Sequence, residues 1–202
     1  GTVFSTGGDT EVLLEGFIKY GKDILNLLRG QFAFGIYDSL EGSFFLARDR
    51  VGIKPLYFSI NEKSFIFSSE LKAIEKSGIV TFTPDIDSYI AYLRHLCVPA
   101  DKTGNKYISK VEPGQYLKIT NDGSIEKAKY WDPFSIEINN DMSEKEAVSK
   151  VEDLLIESVE YRQVSDVEVG LFLSGGLDST LIGKLMNNNQ SSVLKSFNID
   201  YE

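Results

Sequence analysis

Between Val167 and Met186 the chain leaves an apolar stretch, passes through Ser174-Gly175-Gly176-Leu177-Asp178-Ser179-Thr180, and enters a segment with helical apolar spacing. No other feature constrains the fold as much. Residues 167–173 read as a buried strand, 179–186 as a helix and 194–199 as a second strand. A strand, a helix and a strand with so short a crossover form a βαβ unit, and hence a parallel sheet. Two glycines at the turn let the backbone approach a bound group, amide N–H groups converge there, and the helix dipole favours an anion. The loop has neither the spacing nor the lysine of a Walker-type phosphate loop. Charge on a bound polyphosphate therefore needs a metal, and Asp178 is the carboxylate placed to hold it. The competing reading is a tight strand–helix turn whose glycines serve packing alone.

Charge narrows the partners. Twenty-one Lys and Arg stand against 30 Asp and Glu, a net charge of −9, the wrong sign for a surface that tracks nucleic-acid phosphates. No apolar run reaches the roughly 18 residues of a spanning helix, so no membrane partner is expected. One cysteine, Cys97, and one histidine, His95, exclude a disulfide framework and a structural zinc site. The cytoplasm is the expected compartment. Acidity is concentrated late: residues 141–202 carry 5 basic and 12 acidic side chains, against 16 and 18 in residues 1–140.

The first 135 residues read as α+β. Leu13, Leu14, Phe17 and Ile18 mark a helix over 10–20, with Asp9 or Thr10 as N-cap and Gly21 as its stop. Hairpins follow at 32–37 with 43–47, and at 56–60 with 64–68 around Asn61-Glu62-Lys63. The aromatics Phe32, Phe34, Tyr37, Phe44 and Phe45 alternate as a sheet core does. A short helix runs from Glu70 to Ser77-Gly78, and a second starts at Pro84-Asp85 with Ile86, Tyr89, Ile90 and Leu93 on one face. Cys97 reads as a small buried residue on that helix beside Leu93 and Leu96, and His95 as structural or surface. Arg48, Asp49 and Arg50 read as a salt-bridged turn. A last hairpin covers 115–120 and Asn121-Asp122-Gly123. Polar residues 136–142 suit a linker. Ser143-Glu144-Lys145-Glu146 is a capping box leading into a stripe of Ala147, Val148, Val151, Leu154, Leu155 and Val159.

The Ser-Gly-Gly-Leu-Asp-Ser string resembles the pyrophosphate loop of the N-type ATP pyrophosphatases. Earlier motifs add to this. Phe4-Ser5-Thr6-Gly7-Gly8-Asp9-Thr10-Glu11-Val12-Leu13-Leu14, Leu28-Arg29-Gly30-Gln31-Phe32-Ala33-Phe34 and Arg48-Asp49-Arg50-Val51-Gly52-Ile53-Lys54-Pro55-Leu56-Tyr57 stand in sequence. Phe67-Ser68-Ser69-Glu70-Leu71-Lys72-Ala73 and Val111-Glu112-Pro113-Gly114-Gln115-Tyr116-Leu117 follow in order. Together they resemble glutamine-hydrolysing asparagine synthetases over nearly the whole chain.

The resemblance implies two domains. Residues 1–135 would be the C-terminal part of an N-terminal-nucleophile-hydrolase-like glutaminase, with antiparallel sheets and helices. Residues 136–142 would be the linker, and 143–202 the start of an α/β parallel-sheet ATP pyrophosphatase domain. It implies a ligase that takes ammonia from glutamine and amidates aspartate through a β-aspartyl-AMP intermediate, using ATP and Mg2+, with a homodimer in the full-length enzyme. Gly8 and Asp9 match the motif whose carboxylate holds the glutamine α-ammonium, beside the plainer reading of Asp9 as a helix cap. Ser174, Gly175, Gly176, Asp178 and Ser179 match the pyrophosphate loop, with Mg2+ on Asp178. Leu173 and Ile199 match positions flanking the adenine, where core packing is the alternative. The family's nucleophile is an N-terminal cysteine. This chain opens at Gly1, and the internal Cys97 has no α-amino group beside it to act as base. The expectation is therefore an internal piece, with no catalytic residue of its own and no activity by itself. Two alternatives stay open: a relative that amidates another carboxylate, as on a surface sugar, and a non-catalytic module of the same fold.

Overall fold

The computed structural model describes residues 3–61, 63–99, 101–188 and 194–199; Glu62 of the expected turn and the closing Asp200-Tyr201-Glu202 lie outside them. The chain divides into two compact units, Gly1–Ile136 and Glu137–Glu202.

The first unit opens with helix α1 (Asp9–Tyr20), a 3-10 turn and short helix α2 (Ile24–Leu27). Hairpins β1 (Ala33–Asp38)/β2 (Ser43–Arg48) and β3 (Tyr57–Asn61)/β4 (Ser64–Ser68) follow. Then come α3 (Leu71–Lys76), α4 (Ile86–His95), β5 (Ser109–Lys110), and the hairpin β6 (Gln115–Ile119)/β7 (Ile125–Lys129). Every pairing in this unit's two sheets is antiparallel, in the orders β1-β2-β6-β7 and β4-β3-β5.

Side-chain alternation stacks these elements in layers. Leu46 of β2 and Leu117 and Ile119 of β6 meet Phe58 of β3 in one core, so the two sheets pack face to face. On the opposite face of the larger sheet, Phe45, Ala47 and Tyr116 pack against Ile24 and Leu25 of α2, with Phe17 of α1 lying 4.8 Å from Phe45. The smaller sheet's outer face takes Ile74 of α3 against Tyr57 and Ile66. Strand β2 is thus covered on both sides.

The Arg48-Asp49-Arg50 turn is not salt-bridged as expected. Arg48 donates to the carbonyls of Lys54, Gly52 and Val111, each at 2.7 Å, and Arg50 to that of Leu28 at 2.8 Å. The buried Asp49 carboxylate accepts from the amides of Ile53 (3.0 Å) and Lys54 (2.9 Å). Burial lowers the Arg48 pKa, and the Asp49 charge opposes that shift. Gly52 is obligatory: its φ is +69°, and a Cβ there would lie 2.8 Å from Pro113 and 3.1 Å from the guanidinium carbon. The Tyr130 hydroxyl donates to the Arg48 carbonyl at 2.8 Å, and burial pushes this phenol up to about 12.

Helix α4 departs from expectation. Its buried residue is Ser88, bonded to Asp85 at 2.6 Å, while Ile86, Tyr89, Ile90 and Leu93 are exposed. The 103–105 loop comes close to the start of this helix: the Asp85 amide donates to the Gly104 carbonyl, and a Cβ on Gly104 would meet the Tyr89 hydroxyl at 3.1 Å. Cys97 is not buried on the helix. It follows the left-handed Leu96 cap and is exposed, as is His95.

The second unit holds α5 (Glu144–Arg162), β8 (Leu171–Phe172), α6 (Leu177–Asn188) and β9 (Ser196–Phe197). Ser143 and Glu146 form the capping box. Strands β8 and β9 pair in parallel, in the register Leu171↔Ser196 and Phe172↔Phe197. Among the described residues each pairs only with the other, over two positions, so both are shorter than the sequence pattern. Val159, Leu185 and Met186 form the core with Leu155, Ile156 and Leu171. Much of the expected α5 stripe stays outside it: Val148, Val151 and Leu154 are exposed.

Two outcomes follow. Arg48→Ala leaves three carbonyls without their donor and should lower stability by about 2–4 kcal/mol, read as a shifted urea midpoint; an unchanged midpoint contradicts the role given to Arg48. Amides of 167–188 should exchange faster than those of β2 and β6, since a two-strand sheet with an exposed Phe172 and Phe197 buries little; equal protection would show that the second unit's stability has been misjudged.

Candidate functional site

Two separate places carry the expected residues, one in each unit. In the first unit the N-cap of α1 is Gly8, in extended conformation (φ −90°, ψ 150°), and no side chain caps the helix. Neither Asp9 nor Thr10 is the cap, because the chain before the helix is fastened in another way. The Glu11 carboxylate turns back and accepts the amide and hydroxyl of Ser5 at 2.8 and 2.7 Å, and those of Thr6 at 2.6 and 2.5 Å. Thr6 Oγ1 receives the Gly8 amide at 3.4 Å. Four donors favour the ionised acid, the Thr6 hydroxyl most of all, and hold the Glu11 pKa down to about 2.

Asp9, relieved of capping, lines a cleft of about 670 Å3. The cleft's other polar residues are Thr10, Arg29, Gln31, Lys54 and Ser69, and its walls include Phe32 and Phe34. Its volume suits a small ligand. The lining thus carries one carboxylate and two cationic side chains.

In the second unit the loop after β8 bends at Gly175, whose φ of +77° excludes ordinary side chains. Helix α6 starts at Leu177, two residues before the expected Ser179, so Asp178 and Ser179 lie in its first turn. Ser174 Oγ stands 3.2 Å from Ser179 Oγ, and the Ser179 and Thr180 hydroxyls both donate to the Gly176 carbonyl, at 3.1 and 2.8 Å. Asp178 is exposed. The Leu173 amide donates to the Phe197 carbonyl at 2.8 Å, which sets Leu173 and Ile199 just past the ends of neighbouring strands. Leu173 is half-buried and Ile199 71% exposed, so Ile199 is not a core residue among those described. No group of three His, Cys, Asp or Glu forms a metal cluster among the described residues. A lone hard carboxylate still fits Mg2+, which commonly takes one or two carboxylates and completes its shell with phosphate oxygens and water.

The family model described as glutamine amidotransferase domain matches residues 1–131. The chain belongs to that family. The model described as asparagine synthase matches residues 150–202. Among relatives, "Asparagine synthetase [glutamine-hydrolyzing] 1" of Bacillus subtilis is 34% identical over 204 residues, covering 100% of this chain and 31% of its own length. "Putative asparagine synthetase [glutamine-hydrolyzing] 2" of Methanocaldococcus jannaschii is 36% identical over 201 residues, covering 98% and 39%. The chain therefore spans less than two-fifths of these relatives. Glutamine phosphoribosylpyrophosphate amidotransferase from B. subtilis superposes with a TM-score of 0.46 at 19% identity, over 98% of this chain and 40% of that one.

Sequence reasoning singled out Asp9 and missed the cleft around it. Arg29, Gln31, Lys54 and Ser69 all lie inside the motif segments that carried the resemblance, which was the available signal. The acid-side behaviour of Glu11 is testable. A carboxyl held at about 2, against 4.5 ordinarily, contributes stability above pH 4.5 that is lost as pH falls through about 2. A carbon-detected NMR titration should give Glu11 a midpoint near 2, with the Ser5 and Thr6 amide shifts following it; a midpoint of 4.5 refutes the clamp.

Proposed function

We propose that this chain serves a glutamine-dependent asparagine synthetase, its first unit holding glutamine and its second ATP. The observation that carries the reading is the order of the two matches, amidotransferase then asparagine synthase, with a charged cleft at Asp9 in the first unit and a glycine loop at 174–179 in the second. The first unit's antiparallel sheets and flanking helices suit an N-terminal-nucleophile fold, and the parallel β8–β9 pair suits the start of an ATP pyrophosphatase sheet. The cytoplasm suits a soluble ligase of this kind, and among the described residues no helix is long and apolar enough to cross a membrane.

In this reading Asp9 takes the α-ammonium of glutamine, with Gly8 beside it letting the substrate approach. In the second unit the loop at Ser174, Gly175, Gly176 and Ser179 cradles the pyrophosphate of ATP with its amides and hydroxyls, and Leu173 and Ile199 flank the adenine. Asp178 would hold Mg2+, which when bound would supply charge neutralisation on the pyrophosphate. The chemistry explains the need for two sites. A carboxylate resists attack by an amine, while the mixed anhydride of aspartate with AMP loses AMP readily when ammonia attacks its carbonyl; ammonia must then travel from one site to the other unprotonated.

The test uses the protein at its natural length. Asp178→Ala should cut aspartate-dependent ATP cleavage about 100-fold or more and leave glutamine hydrolysis nearly intact. Asp9→Ala should raise the KM for glutamine about 10–100-fold and spare synthesis from free ammonia. Normal ATP cleavage by Asp178→Ala removes the pyrophosphate-loop assignment. Replacing aspartate by other carboxylic acids in the same assay decides the acceptor.

A further inference from the structure

The Glu11 clamp is absorbed by no part of the function stated so far. Glu11 faces away from any role in capping its own helix. Its carboxylate spends four hydrogen bonds, all between 2.5 and 2.8 Å, on two residues that precede the helix. The effect runs forward along the chain. Thr6 Oγ1, while donating to Glu11, accepts the Gly8 amide, so a connected path leads from Glu11 through the Thr6 hydroxyl to the N-cap. Gly8 has no side chain to cap with, and a Cβ at Gly7 would meet nothing within 4 Å. Two glycines with no packing of their own would leave the approach to α1 loose. The Glu11 bonds are what fix it, and with it the direction in which Asp9, the next residue, enters the cleft.

We infer that Glu11 is a positioning residue for amino-acid binding: it anchors Ser5 and Thr6 so that Gly8 and Asp9 present a preset surface to the ammonium group of the substrate. The inference rests on the reading of the Asp9 cleft as the glutamine site. Preorganisation of this kind acts on substrate affinity, since the ordering is complete before the ligand arrives. Glu11 touches no reacting atom and leaves turnover alone.

The experiment compares Glu11→Gln, Thr6→Val and Asp9→Ala in the protein at its natural length, with steady-state glutamine hydrolysis and ammonia-dependent synthesis as readouts. Glu11→Gln keeps the shape but replaces one acceptor oxygen by an NH2 donor, so one backbone amide loses its acceptor, the hydroxyl beside it must turn to accept, and the charge is gone. The KM for glutamine should rise about tenfold, the equivalent of one charge-assisted bond, with kcat within about twofold. Ammonia-dependent synthesis should not change. Thr6→Val breaks the same path from its other end with little change of shape, so it should give a similar KM rise, and the double variant should show less than the product of the two effects. Glu11→Asp, which keeps the charge, should recover part of the loss. If Asp9→Ala raises KM while Glu11→Gln and Thr6→Val do not, the positioning role is overturned and the cleft assignment stands. If Asp9→Ala leaves KM unchanged, the cleft assignment itself is wrong. If Glu11→Gln raises KM and also lowers kcat and ammonia-dependent synthesis, Glu11 serves the fold at large and the inference fails.

Discussion

The Arg48 guanidinium is the point on which the first unit depends. It closes three carbonyls from two distant stretches, Gly52 and Lys54 on one side and Val111 on the other. A planar fork with five donors can do this, whereas a lysine ammonium cannot span those directions at once. Among the described residues the two sheets share no hydrogen-bonded strand, so their relative position rests on the apolar layer between them and on this junction at the end of β2. Burying a cation costs desolvation. Here the neighbouring Asp49 charge opposes that cost without cancelling it, while the three carbonyls satisfy the donors. The same turn reaches the cleft: Asp49 donates its amide to the Phe32 carbonyl, Arg50 holds Leu28, and Lys54 is fastened through both its amide and its carbonyl. A cleft wall made from loops is rigid here because charged side chains have taken over the role of a strand ladder.

What the sequence revealed follows from where its signals are local. The hairpins were legible because alternation and turn residues act within a few positions: Phe45 and Leu46 face opposite layers as the pattern requires. The capping box of α5 was legible for the same reason. Signals that depend on a partner far along the chain were not. The apolar side of α4 stays exposed while Ser88 is buried and bonded to Asp85, an outcome that the periodicity of residues 86–95 does not contain. The Arg48 turn was read as salt-bridged because charge pairing is the nearest explanation for adjacent Arg and Asp. The carbonyls that in fact satisfy it include Val111, 63 positions away.

The two units present their candidate residues in different physical ways. The 174–179 loop has its shape from the backbone: the left-handed Gly175 and hydroxyls turned to the Gly176 carbonyl set it, all within a few positions. That is why the motif could be read directly from the sequence, string by string. The Asp9 cleft has its shape from four separate segments, 9–13, 28–34, 54–55 and 69, so a linear reading finds Asp9 and leaves Arg29, Lys54 and Ser69 unassigned.

Glycine separates the demands of the fold from those of the site. Gly52 is required by its own φ and by the guanidinium packed against it. Gly7 and Gly8 are required by neither: a Cβ on Gly8 would meet only Thr6 Oγ1, at 3.8 Å, and its φ of −90° is open to any residue. An unneeded glycine in an ordinary conformation costs backbone entropy on folding, about 0.5–1 kcal/mol relative to alanine in a regular element. Two in succession beside an uncapped helix end are a standing cost that the described contacts of the fold do not offset. A ligand that approached the main chain just before Asp9, the residue that lines the cleft, would offset it. Under that account the Glu11 clamp and the glycines are two halves of one device: the glycines remove bulk from the approach to Asp9, and the carboxylate restores the order that their absence of side chains takes away.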